Sequence, residues 1–226
     1  MPSVLPDESF SGHELELLHD VSASIQAFSD LNELLRHILR KIKTAFDIEG
    51  ASIALHDPAQ KEFFFIRTVE EETQQALDDA KPMRFPDHYG VAGWVFRKNR
   101  SVIIPDVEND ERFANTLNLQ QAFQTRSMIC TPLNTAKERI GVLYALNKRE
   151  GTFTEHEARL LEVLAGPIAI SIENARLYSE LKQHADHLAS ENVRLQAEVQ
   201  NRFNLQGIIG SCPAMEKVFN LVEKVI

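Results

Sequence analysis

Cysteine is almost missing from this chain: Cys130 and Cys212 are the two present in 226 residues. Far apart and without further partners, they exclude a disulfide framework, and neither can hold a metal by itself. Long apolar runs are missing as well, so no segment reads as a membrane span. The first residues, Met1-Pro2-Ser3-Val4-Leu5-Pro6-Asp7-Glu8, lack the basic and apolar regions of a signal peptide, and the expectation is a cytoplasmic protein. Positive charge is scarce. With 24 Lys and Arg against 33 Asp and Glu, the net charge of −9 argues against nucleic-acid binding by this segment. No glycine-rich phosphate loop with its lysine occurs, which removes nucleotide hydrolysis from its repertoire. What remains is 43% apolar and 25% charged, an ordinary globular composition, at a length that suits one or two domains.

The strongest local pattern is a hairpin. Arg126 to Leu133 and Arg139 to Lys148 are two apolar strands joined at hairpin length by the polar stretch Asn134 to Glu138. Consecutive apolar residues, Met128 to Cys130 and Val142 to Leu146, predict cover on both faces and a place at the middle of a sheet. Gly141 in mid-strand signals a bulge or a close approach by another group.

Around this hairpin the chain reads in order. Residues 1–10 are expected to be frayed. Leu15, Leu18, Val21, Ile25 and Phe28 recur at helical spacing. A second helix starts at Asp30, with a capping box to Glu33, and carries the stripe Leu31, Leu34, Leu35, Ile38, Leu39, Ile42 and Phe46. Gly50 to His56 and Glu62 to Arg67 form a second hairpin, and Thr73 to Lys81 reads as a short helix or mobile loop. An extended piece between Pro82 and Pro86, a helix over His88 to Arg97 and a strand over Ser101 to Ile104 come next. Glu111 to Phe123 suits a loop-plus-helix lid. Thr154 and Glu157 make another capping box at the head of a long helix, which Pro167 should kink or break. Further on, Leu181, Leu188 and Leu195 occupy d positions of a heptad, with Tyr178, Ala185, Asn192 and Val199 at a, the pattern of a short parallel coiled coil.

Several pieces together resemble one family. Gly90-Val91-Ala92-Gly93-Trp94-Val95, Val102-Ile103-Ile104-Pro105-Asp106-Val107, Arg126-Ser127-Met128, Ile140-Gly141-Val142-Leu143 with Asn147-Lys148, Phe153-Thr154-Glu155 and Ile172 to Tyr178 are similar, in that order, to a GAF domain. The resemblance implies an α/β (α+β) GAF fold: a central antiparallel sheet of about six strands, a helical bundle on one face, and a pocket on the other under loops and short helices. Near the end, Gly207-Ile208-Ile209-Gly210-Ser211-Cys212-Pro213-Ala214-Met215, with Val218, Phe219 and Val222, resembles the start of the AAA+ ATPase domain of sigma-54-dependent activators. The implied organisation is a frayed N-terminus over 1–10, a sensory GAF domain over 11–177, a coiled-coil linker over 178–204 and the incomplete beginning of an AAA+ domain over 205–226. It implies the front of an activator of the nitrogen-fixation or formate-sensing type. Such a segment is no enzyme itself, although the whole protein would hydrolyse ATP. Its partners would be a second copy through the N- and C-terminal helices, a regulatory protein, and sigma-54 RNA polymerase and DNA through other domains.

The candidate ligand residues are Arg126, Ser127, Thr131, His88, Tyr89, Phe113 and Arg67. An arginine at the mouth of an apolar cavity can grip a small carboxylate such as 2-oxoglutarate or formate while hydroxyls and an imidazole orient it. Against this stands pairing of Arg126 with Asp106, Asp110 or another surface acid. Asn147-Lys148 with Phe153 is similar to the signature of cyclic-nucleotide-binding GAF domains, though its spacing departs from that signature; the plainer reading makes Asn147 a strand-end residue bonded to backbone. Cys130 reads as a buried, inert thiol. A dimerisation module without ligand is the remaining alternative.

Overall fold

The structure is a computed structural model, and it describes residues 10–27, 30–69, 83–113, 124–202 and 213–222. The expectations for residues 1–9, for Thr73 to Lys81, for the lid beyond Phe113 and for Cys212 lie outside the described residues, as do the side chains of Ile25, Arg67 and Val199.

Two long strands form the centre. β1 (Ile48–Asp57) pairs antiparallel with β6 (Arg139–Lys148). β2 (Glu62–Val69) and β3 (Arg84–Pro86) extend the sheet on one side, and β5 (Met128–Asn134) and β4 (Val102–Ile104) on the other. The order is β3-β2-β1-β6-β5-β4, six strands with every neighbour antiparallel. The β5–β6 hairpin thus reaches one step toward an edge, and β1 shares the middle with β6.

Both faces are covered, as the unbroken apolar runs require. On one side lie α1 (Gly12–Ala27), α2 (Leu31–Phe46) and the first part of α4 (Glu155–Arg202). They enclose Leu34, Ile38, Leu161, Leu164 and Ile168 against Ile53, Ile129 and Leu143. The other side holds Phe63, Phe85, Val142 and Tyr144 under α3 (Gly90–Lys98), which contributes Val91, Ala92 and Val95. Strand alternation does this sorting: Leu143 and Ala145 enter the helix-side core, while Val142, Tyr144 and Leu146 enter the other.

Local signals explain most of the boundaries. Asp30 Oδ1 accepts from the Glu33 backbone N–H at 2.9 Å and starts α2, whose stripe from Leu34 to Phe46 is buried. The helix stops at Asp47, which adopts a left-handed φ of 49°. Both halves of the second box form: Thr154 N–H donates to Glu157 Oε2 at 2.9 Å, and Glu157 N–H to Thr154 Oγ1 at 3.2 Å. Two expectations need correction. In α1 the inward face is Leu17, Val21 and Ser24, whereas Leu15 is 54% exposed; in the run Leu15-Glu16-Leu17-Leu18 apolarity alone does not fix the helical phase. Of the two outcomes expected at Pro167, the break is the one the structure overturns, since the long helix runs continuously through it; a proline loses a single backbone bond there, and packing on the sheet retains the helix.

By contacts the chain divides into Met1–Arg176 and Leu177–Ile226. The second unit contains the remainder of α4 and a short helix, α5 (Pro213–Val222). Tyr178, Leu181, Leu188 and Leu195 are exposed on α4. Among the described residues no helix is long and apolar enough to cross a membrane.

At Gly141 the two central strands press close together. A β-carbon there would lie 2.2 Å from the Ala54 carbonyl oxygen and 3.0 Å from Leu55 Cα, so the close approach implied by the sequence comes from the β1 backbone. Because backbone, unlike a side-chain tip, cannot swing aside, Gly141→Ala should destabilise the fold by about 2 kcal/mol or more. Urea unfolding at constant m-value would measure this, and a loss under 0.5 kcal/mol would show that the strands can separate at little cost.

Candidate functional site

The sheet end beside α2 is organised by one side-chain amide. Asn147, at the end of β6, is buried and sits at φ 57°, a left-handed conformation that asparagine tolerates better than most residues. Its Oδ1 accepts from the backbone N–H groups of Arg126 (2.7 Å) and Ser127 (3.3 Å). Its Nδ2 donates to Glu49 Oε2 and to the Gln124 carbonyl, both at 2.8 Å. Asn147 N–H meets the Ser127 carbonyl at 2.8 Å, and Ser127 Oγ accepts from Lys148 N–H at 3.2 Å. Residues 124–127 are therefore fastened to β6 by side-chain and backbone bonds together. Lys148 is engaged by the Phe46 carbonyl (2.6 Å) and Glu157 (2.5 Å), tying the ends of β6 and α2 to the head of α4.

Arg126 is fixed in the same node. Its guanidinium donates to Glu49 Oε1 at 2.6 Å, so the acid it pairs with is neither Asp106 nor Asp110. Asp106 accepts from Glu108 N–H and from the Asn109 amide, and Asp110 holds Arg112 at 2.5 Å, with the Arg112 guanidinium 4.9 Å from the Trp94 ring centre. Burial raises the Glu49 pKa, but hydrogen bonds from Arg126 and Asn147 outweigh it and leave the carboxyl below its ordinary value of 4.5.

The other candidates are dispersed. Thr131 is fully buried, but it shares strand parity with Ile129 and Leu133 on the helix-side face, and its Oγ1 meets Ser101 Oγ at 2.7 Å. His88 and Tyr89 are exposed at the start of α3, His88 3.7 Å from its neighbour Asp87. Phe113 packs half-buried at the rim of the α3-side cluster. Arg67 lies on β2 opposite Ile53. Among the described residues, then, the structure unites Arg126 and Ser127 in one node and leaves Thr131, His88, Tyr89 and Phe113 elsewhere.

Three features were missed in the sequence. Glu49 completes the node, 98 positions from Asn147. His56, mostly buried at the end of β1, bonds Asp87 at 3.2 Å while its ring lies 4.5 Å from that of Phe96 and 5.4 Å from that of Phe63. Tyr144 stands in the α3-side cluster directly across from Cys130. Burial pushes the Cys130 thiol well above its ordinary pKa, in keeping with an inert thiol. Among the described residues no group of three or more His, Cys, Asp or Glu could hold a metal. An open groove of about 370 Å³ between α1 and α2, crossed by the Lys41–Asp20 ion pair, belongs to the helix layer.

With this architecture in view, comparison decides the family: the GAF domain model matches residues 30–172. The chain belongs to the GAF domain family. Three relatives are similar over much of the chain. The Nif-specific regulatory protein of Herbaspirillum seropedicae is 24% identical over 228 residues, covering 99% of this chain and 40% of that protein. The formate hydrogenlyase transcriptional activator of Salmonella typhimurium is 26% identical, covering 92% of this chain and 30% of that protein. The probable 3',5'-cyclic phosphodiesterase pde-5 of Caenorhabditis elegans is 26% identical over 174 residues, covering 74% of this chain and 24% of that protein. The chain thus spans well under half the length of these relatives. Among solved structures, the GAF domain of a phosphoenolpyruvate-protein phosphotransferase from Coxiella burnetii superposes with a TM-score of 0.65 at 18% identity, over 74% of this chain and 96% of that one.

Two predictions follow from the node around Asn147. Asn147→Ala should cost about 3 kcal/mol, since it strands the Arg126 N–H and Gln124 carbonyl and puts alanine at a positive φ; Asn147→Gly, which loses the same bonds without that strain, should unfold at a higher temperature than Asn147→Ala. Calorimetry that ranked them in the reverse order would remove the strain argument. Because the Glu49 pKa is depressed, its stabilisation is complete above the ordinary value of 4.5 and is lost as pH falls through the lower folded value. Glu49→Gln should therefore be less stable than the parent at pH 7 and the gap should close toward pH 3, measured by unfolding midpoint across that range.

Proposed function

We propose that this GAF domain is the sensory part of a sigma-54-dependent transcriptional activator: a small molecule or regulatory protein binds it, and α4 carries the response toward an AAA+ ATPase domain. The observation that carries the reading is the extent of similarity. The match to the Nif-specific regulatory protein covers 99% of this chain, beyond the GAF-matched residues 30–172 and into α4 and the α5 region. The α5 region also carries the residues that resemble the start of an AAA+ domain, and the heptad on α4 suits a parallel pair of linkers. Small carboxylates such as formate and 2-oxoglutarate are natural first ligands for the test, given the activators that the chain resembles. Response to ligand requires two states that differ in affinity, and a helix rooted in the sheet-covering layer is a suitable element to differ between them.

Cyclic-nucleotide binding is the second reading, supported by similarity to the phosphodiesterase. The bonds at Asn147 and Lys148 weigh against a direct ligand role for this pair: both side chains are engaged by the protein itself.

The dimer component is tested by light scattering on the purified chain. It should behave as a dimer, and Leu181→Lys with Leu188→Lys should yield a folded monomer; a parent chain monomeric at 100 μM would remove the linker-pairing part of the reading. For the sensory component, thermal unfolding against carboxylates and cyclic nucleotides is decisive, since a ligand at 100 times its Kd adds about 2.7 kcal/mol. Stabilisation by a cyclic nucleotide alone would favour the second reading.

A further inference from the structure

Positive charge, scarce overall, gathers at one end of the sheet. Antiparallel pairing brings three connections together there: 57–62 between β1 and β2, 134–139 between β5 and β6, and 97–101 between α3 and β4. The last two are tied directly, since Arg139 Nη1 donates to the Phe96 carbonyl at 2.7 Å and to the Arg97 carbonyl at 3.2 Å, with its guanidinium 5.4 Å from the Phe96 ring centre. They carry Arg97, Lys98, Arg100, Lys137 and Arg139, all exposed. A helix C-terminus bears roughly half a negative charge and attracts cations, but Arg139 already meets the last carbonyls of α3. Surface cations otherwise pair with carboxylates. In a chain with 33 acids and 24 bases they find them readily, as Lys41, Arg84, Arg112, Arg126 and Lys148 do. Arg97, Lys98, Arg100 and Lys137 meet no carboxylate among the described residues. The acids of the neighbouring connections are engaged elsewhere, Asp57 and Glu62 by Arg84 and Glu138 by Arg176. Like charges are thus left together, against their mutual repulsion, on a protein whose net charge is −9.

The surroundings select the partner. Among the described residues, no large exposed apolar side chain lies in these three connections, so they offer neither a platform for stacked bases nor an apolar anchor. Attraction is confined to charge. At physiological salt, exposed charges more than about 8 Å apart are largely screened, so the patch acts on what lies directly against it. A nucleic-acid strand would run on past the patch over a surface with an excess of acid, whereas a short acidic stretch of polypeptide ends where the cations end. Recognition of this kind is rapid, reversible and sensitive to salt.

We infer that this end of the sheet, through Arg97, Lys98, Arg100 and Lys137, is a docking surface for an acidic segment of a partner protein. The inference rests on the regulatory-protein form of the reading above and names both the surface and the chemistry of the partner. The docked segment lies beside α4. Arg176, the last residue of the first unit, is held at 3.0 Å by Glu138, the neighbour of Lys137 in sequence, so a carboxylate arriving at Lys137 competes with Glu138 for Arg176.

The test uses the full chain and the fluorescence anisotropy of three labelled probes: a peptide of four Glu-Glu-Gly repeats, the same peptide with Gln for Glu, and a thymidine oligonucleotide of equal charge. The expected result is that the parent binds the Glu peptide and not the Gln peptide, and that the affinity falls at least tenfold between about 50 and 200 mM salt. Arg97→Gln, Lys98→Gln and Lys137→Gln together should weaken binding at least tenfold. Arg40→Gln, Arg159→Gln and Lys217→Gln, an equal change of net charge at exposed positions elsewhere, should alter it less than twofold. Carbodiimide coupling of the bound peptide's carboxylates to lysine, mapped on the parent chain, should fall on Lys98 and Lys137, which decides the matter even if a variant fails to fold. Equal weakening by the two triple variants, coupling spread over other lysines, or tighter binding of the oligonucleotide than of the peptide overturns the inference. So does a parent that binds no peptide; in that case stabilisation by a small molecule would still uphold the sensory reading, and the absence of both would end it.

Discussion

Everything in this fold depends on how closely β1 and β6 lie together. The Ala54 carbonyl occupies space that any side chain at position 141 would need, so the pairing of the two central strands requires glycine there. With the register set, alternation along β6 sends Leu143 and Ala145 to the helices and Val142, Tyr144 and Leu146 to the α3 side. A slip of one residue would exchange the two sets and leave both cores mismatched.

The two faces have different characters as a result. On the helix side, three helices and long aliphatic side chains form a dense apolar layer; that face reads as scaffold. The α3 side is richer in aromatic rings, is covered by a helix of nine residues, and contains the one buried tyrosine. Polar fastenings lie at the margins of the sheet: His56 with Asp87 near α3, and Asn147 with Glu49 at the opposite end of β6, beside α2. Such an arrangement keeps the edges of the face in register without placing charge in its middle.

Elements governed by local chemistry were legible in the sequence. The Thr154–Glu157 box, the α2 stripe and the β5–β6 hairpin each depend on residues close in sequence, and spacing alone located them. Gly141 was also flagged, although the atom that demands it lies on β1, far away in sequence. What remained hidden depends on distant pairing. Glu49 carries no local mark that joins it to Asn147 and Arg126, and His56 looks like an ordinary strand end until β3 brings Asp87 beside it. Thr131 was misplaced for a related reason: in a strand covered on both faces, hydrophobicity does not reveal which residues face the helices. Tyr144 passed unremarked within an apolar run, because only the folded structure sets it opposite Cys130 under α3.

The long helix has a consequence for cooperativity. Starting a helix is the unfavourable step, and extending one is nearly neutral for each added residue. α4 is started by the Thr154–Glu157 box and held by Leu161, Leu164 and Ile168 in the core, so its later turns require extension alone. Those turns expose Leu181 and Leu188 to water, leaving them near the balance point between coil and helix unless another apolar surface covers them. On the proposed reading, in which a second copy covers those leucines, the length of ordered helix leaving the domain would be an adjustable quantity, responsive to protein concentration and to strain at its root, and a change at the sheet would be passed on as a change in how far the helix extends.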